Sequence, residues 1–132
     1  MNKFSLILMA HGSRDPKWGR PFEELLQRLR RETGEDRVHL AYLENAHPLL
    51  PEVVREAMAR GERHFRVLPL FMSSGIHMAE DIPGQAAELS RDCPGVSIEV
   101  LPPIGSHPLF ADLLLNLTKE SLATLAGTQQ GI

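Results

Sequence analysis

The chain has 132 residues, of which 42% are hydrophobic and 23% charged, with a net charge of -3. These values fit one ordinary globular domain and argue against a general nucleic-acid binder, which would carry a basic face. A single cysteine, Cys93, excludes an internal disulfide and points to a reducing cytoplasm.

The N-terminal apolar run is interrupted by His11 and Arg14. It is too short for a membrane span and lacks a small-residue cleavage site, so a soluble, unprocessed chain is expected. The first strand is expected at about Phe4 to Met9, apolar on both faces. A helix from about Pro21 to Glu32 follows, with Phe22, Leu25, Leu26 and Leu29 on one stripe and Gly34 as its stop. A second strand, about Val38 to Leu43, precedes a helix from about Leu50 to Arg60 that closes at Gly61. The third strand is placed at about Phe65 to Phe71. The next helix is placed at about Pro83 to Arg91, with proline in its first turn and "CPG" ending it. A fourth strand, about Val96 to Leu101, leads through "PPIGSHP" to a last helix from about Pro108 to Leu125. No linker or repeat divides residues 1–126, and the tail 127–132 is expected to fray.

Apolar strands alternating with helices predict a parallel sheet of about four strands covered on both faces. Right-handed crossovers then give an α/β three-layer sandwich. Ligands of such sheets bind beyond the carboxyl ends of the strands. His11, Glu44 and His77 follow strands one, two and three, so all three are expected on that edge.

Two neutral imidazoles and a carboxylate suit a borderline divalent ion such as cobalt, iron, nickel or zinc. The same groups can accept protons near neutral pH. Taken singly, each is more simply a hydrogen-bonded turn residue or a solvated carboxylate; the coincidence at three strand ends is what points to a site. His39, alternating with Val38 and Leu40, reads as facing a helix, and His64 as exposed in a polar turn. His47 lies three residues past Glu44 and would share its ligand only if that segment were helical. His107 borders the same edge, with Ser106 a candidate helix cap.

"SSG" (Ser73, Ser74, Gly75) is either a plain turn or a source of backbone N–H groups for an anion at a helix start. Arg14, Lys17 and Arg20 form a basic cluster behind His11, suited to an acidic ligand or simply to a solvated face. Met72, Ile76 and Met78 would wall a pocket or sit in the core. No phosphate-binding loop is present, so no nucleotide is expected.

Together, "LILMAHGSRDPKW", "AYLENAHP", "RVLPLFMSSGIHMAEDIP" and "LPPIGSHP" resemble the small ATP-independent tetrapyrrole chelatases of the CbiX and SirB type, over about residues 3–116. The pairing of "HGSR" after strand one with "LF...G.H...DIP" after strand three carries the resemblance. It implies the chelatase fold and insertion of a divalent metal, as substrate, into sirohydrochlorin, with cobalt favoured over iron or nickel. It also implies His11, Glu44 and His77 as metal-site and catalytic residues, and a homodimer built from two single-lobe chains. Two rival readings exist. "LMAHGSR" superficially matches the start of a histidine phosphatase, but Ala10 stands where that chemistry needs an arginine. A non-enzymatic metal or tetrapyrrole carrier would use the same three residues without turnover.

Overall fold

The computed structural model describes residues 3–73 and 75–125, with backbone alone for 76–79. The expected tail, 127–132, lies outside the described residues. The elements run β1 (Phe4–Ala10), α1 (Arg20–Thr33), β2 (Val38–Tyr42), α2 (Leu50–Ala59) and β3 (His64–Pro69). They continue with α3 (Ile76–Asp92), β4 (Ser97–Val100), a short 3-10 turn η1 (Ile104–Ser106) and α4 (Pro108–Ser121). All strand pairs are parallel, in the order β2-β1-β3-β4. No described helix is long and apolar enough to cross a membrane.

Alternation along the strands sorts the core into two layers. Ile7, Met9, Ala41, Phe65 and Val67 pack against α2 and α3 through Val54, Ala57, Ile82 and Leu89. Leu8, Ala10, Leu40 and Tyr42 pack against α1 through Leu26, with Phe22 and Leu29 beside it. Leu25 departs from the expected stripe: one residue off Leu26, it turns away from the sheet and is exposed. Gly34 ends α1 as expected, with φ 69° and its N–H donating to the Arg30 carbonyl at 2.9 Å.

Coverage of the two faces is unequal. The strip formed by Arg66, Leu68 and Glu99 lies on the α1 side of the sheet, because Arg66 pairs in register with Leu6 and Glu99, and Leu68 with Leu8. Helix α1 covers the β1–β2 half of that side and leaves the strip open: Arg66 and Glu99 are exposed, and Leu68 is only partly buried. The fourth strand is therefore half-exposed, not apolar on both faces.

The largest departure concerns α3. Its first turn begins at Ile76, not at Pro83, so Pro83 lies inside the helix, where its missing N–H removes one helical bond. Gly75, in extended conformation, is the N-cap. His77 thus stands in the opening turn of a helix, not in a loop. At α4, the expected capping role of Ser106 falls to His107: the Leu109 N–H donates to its Nδ1 at 3.1 Å, while Ser106 Oγ donates to the Pro103 carbonyl.

At the amino-terminal end of the sheet, His39 faces the α2 side, as expected of its alternation. Its Nε2 lies 2.8 Å from Glu62 Oε1, and Ser5 Oγ donates to the same oxygen at 2.6 Å. Ser5 and His39 are both buried, so neither has water as a substitute partner. Burial raises the Glu62 pKa, but the hydrogen bonds from Ser5 and His39 and the charges of His39 and Arg60 outweigh it and leave it lowered. A lowered folded-state pKa contributes stability above the ordinary carboxylate value, and that stability is lost as pH falls through the folded value. Glu62→Ala is expected to lower unfolding free energy by about 2–4 kcal/mol, because it orphans two buried groups. The variant should also lose stability less steeply on acidification below pH 4.5. Urea melts at pH 7 and pH 3.5 check both points.

Candidate metal and tetrapyrrole site

The strand order reverses between β1 and β3. The chain leaves β1 through α1 on one face to reach β2, and leaves β3 through α3 on the other face to reach β4. Connections that part in this way open a crevice at the carboxyl ends of the strands. His11 follows β1 directly, and α3 with His77 follows β3.

His11 is held by the backbone around it. Beyond β1, the Leu43 N–H donates to the Ala10 carbonyl at 2.9 Å, and the Glu44 N–H to the His11 carbonyl at 3.1 Å. The loop after β2 is therefore fastened to the loop after β1. Gly12 makes this possible: its φ is 101°, and a Cβ there would lie 1.7 Å from the Glu44 carbonyl oxygen. The outcome is a side-chain pair, His11 Nε2 and Glu44 Oε1 at 3.2 Å, with both groups about half-exposed. Two of the three expected ligands are thus brought together and left open to solvent. The His77 side chain lies outside the described residues, as do Ser74 and the side chains of Ile76 and Met78. Among the described residues no cluster of three or more His, Cys, Asp or Glu forms.

Phe71 completes the described surroundings of His11. Its ring stands edge-on to the imidazole, with centroids 6.1 Å apart and planes at 72°. Sequence reading placed Phe71 in the third strand; in fact that strand ends at Pro69, and Phe71 is freed to reach the rim. The one available signal was an aromatic residue two positions past a proline. Met72 beside it is 63% exposed, which places it on the surface and not in the core. The loop after β4 pins this segment: the Gly105 N–H donates to the Phe71 carbonyl at 3.0 Å, and a Cβ at Gly105 would approach the Met72 carbonyl oxygen to 2.0 Å. Ser73 and Gly75 are exposed on the same connection.

Arg14 and Lys17 are exposed in the segment between β1 and α1 and form no ion pair among the described residues. His47 does not join Glu44. The segment between β2 and α2 is not helical, and His47 Nδ1 instead lies 2.6 Å from Glu52 Oε1. The Leu49 N–H and then His47 hold the Glu52 carboxyl below its ordinary range. His107 is occupied as the α4 cap, and His64 pairs with Ser97 Oγ across β3 and β4.

The family model for CbiX matches residues 5–121. The chain belongs to the CbiX family. A crystal structure of the CbiX protein of Marinobacter aquaeolei VT8, named for cobalamin (vitamin B12) biosynthesis, is 33% identical, with a TM-score of 0.78. The match covers 91% of this chain and 98% of that one. The sirohydrochlorin cobaltochelatase of Methanosarcina acetivorans is 24% identical over 127 residues, covering 91% of this chain and 98% of its own. The chloroplastic sirohydrochlorin ferrochelatase of Arabidopsis thaliana is 27% identical over 122 residues, or 92% of this chain and 54% of its own. The chain thus spans about half the length of that relative and nearly the full length of the other two.

Proposed function

We propose that this CbiX-family chain is a sirohydrochlorin chelatase that inserts a divalent metal, most favourably Co2+, without ATP. The observation that carries the proposal is the solvent-open His11–Glu44 pair at 3.2 Å, set at the point where the strand order reverses. The names of the cobalto- and ferrochelatase relatives supply the substrate class.

Metal insertion needs an ion partly stripped of water, two protons removed from pyrrole nitrogens, and transfer of the ion to the ring. In this reading His11, Glu44 and His77 hold the incoming ion. A mixed imidazole–carboxylate set binds borderline divalent ions and, with open positions, allows them to leave. The Glu44 carboxylate or a neutral imidazole takes up the pyrrole protons. Arg14 and Lys17 meet the macrocycle's carboxylates through charge-assisted hydrogen bonds. Met72, Ser73, Ser74, Gly75, Ile76 and Met78 are assigned to macrocycle binding, as the stretch of sequence that follows Phe71, the residue flanking His11. The chain works in the cytoplasm as a homodimer, with the macrocycle held between two copies.

The test is anaerobic spectrophotometry of sirohydrochlorin with Co2+, Fe2+ or Ni2+ and catalytic amounts of protein. Many turnovers per chain above the uncatalysed rate support the chelatase reading. One equivalent of retained product would make the protein a carrier instead. His77→Ala is expected to abolish insertion with an unchanged circular dichroism spectrum, and near-parental turnover with cobalt would remove His77 from the site.

A further inference from the structure

His11 is too open to be held by its carboxylate partner alone. The imidazole and Glu44 are both about half-exposed, and a pair so placed orients a ring only weakly against water. Rotation of an imidazole about its last torsion is itself soft. Yet Nε2 and the Glu44 oxygen stand 3.2 Å apart. That is the separation of two adjacent ligands on one ion, each held at about 2.1 Å from it. A second restraint on the ring is at hand in Phe71.

Phe71 is a fixed post. The Leu70 N–H donates to the Met9 carbonyl at 2.9 Å, one residue beyond the end of β3, and the Phe71 carbonyl accepts from the Gly105 N–H at 3.0 Å. The backbone is thus tied to β1 just before the aromatic residue and to the loop after β4 at it. The second tie depends on Gly105, where a Cβ would come to 2.5 Å from both the Cα and the carbonyl carbon of Met72. The Phe71 side chain is half-buried and packs against the core cluster that includes Ile7, Met9 and Val67. From there it meets His11 edge-on, at 6.1 Å and 72°, inside the range of favourable edge-to-face contact.

We infer that Phe71 is a positioning residue for the metal site: it fixes the plane of the His11 imidazole and so holds Nε2 at ligand spacing from Glu44 before an ion arrives. A ligand set already in place spares the ion the ordering of a free side chain. Phe71 has no donor atom and acts through His11. It also ties His11 to the other side of the crevice. Gly75, the cap of α3, follows Phe71 in the same connection, and the first turn of α3 carries His77.

The inference rests on the metal-site reading, and Co2+ binding without any tetrapyrrole separates the two. Calorimetry with Co2+ on the parent, Phe71→Leu, His11→Ala and the double variant forms a cycle. Phe71→Leu keeps an apolar side chain in the half-buried place, so the circular dichroism spectrum should not change, while Co2+ affinity falls about 10-fold. In the His11→Ala background the same substitution should change affinity by less than about 2-fold, because no ring is left to position. Phe71→Tyr, which keeps the aromatic ring, should recover most of the loss, and Phe71→Met repeats the comparison if leucine disturbs folding. Equal losses with and without His11, no loss in Phe71→Leu, or a tyrosine variant as weak as leucine would each overturn the positioning role and leave the metal site standing. A parent that binds no Co2+, or one whose binding ignores His11→Ala, would reject the metal site and the inference with it.

Discussion

Replacing His11 with alanine is expected to cut the rate of metal insertion at least ~100-fold while leaving the protein folded. Removal of a group that both binds the ion and can exchange protons commonly carries a loss of that order. The fold should not notice. His11 is about half-exposed, and its described side-chain contacts are one edge-on aromatic and one carboxylate. Exposed substitutions of this kind stay within ~0.5 kcal/mol in stability. Binding of Co2+ alone, followed by calorimetry, should weaken in parallel, about 10- to 100-fold, which separates a lost ligand from a misplaced macrocycle. Turnover within a few-fold of the parent would remove His11 from the chemistry.

The second large effect comes from a residue with no side chain. Gly12→Ala is expected to lower unfolding free energy by at least ~3 kcal/mol and to abolish turnover with it. Two penalties combine. At φ 101° an L-residue is strained, and the new methyl would meet the Glu44 carbonyl carbon at 2.9 Å as well as its oxygen. Neither obstacle is a flexible tip, so the two loops must part, and Glu44 moves away from His11. Gly34→Ala is the control: its φ is also positive, at 69°, but nothing lies within 4 Å of the added carbon. That substitution should cost about 1 kcal/mol and leave activity unchanged. Equal melting shifts for the two variants would show that the Gly12 contact does not matter.

Most of the sheet was legible because its signals are local. Strand lengths were right to within two residues, and Gly34 and Gly61 marked helix ends through the backbone conformations they alone adopt easily. The place of His11 at the carboxyl end of the sheet followed from counting strands and helices, whereas the order β2-β1-β3-β4 came only with the structure. What failed depended on distant partners. Pro83 looked like a helix start because proline so often stands in a first turn, but here the helix begins seven residues earlier, at Ile76. The meeting of His11 with Glu44 was expected from the strand ends, whereas the means of it was not legible. The tolerance of Gly12 for a carbonyl at its flank is a fact of two loops, and no periodicity records it. The half-bare α1 face was missed for the same reason, since what covers β3 and β4 depends on where helices far along the chain pack.

The Ser5–His39–Glu62 knot lies at the end of the strands opposite His11 and Glu44. The buried polar knot and the solvent-open His11–Glu44 pair thus sit at opposite poles of one sheet. Variants that toughen the lower pole can raise the melting temperature without stiffening the rim that carries His11 and Glu44. In this protein the usual trade between robustness and speed has a spatial escape route about one strand long.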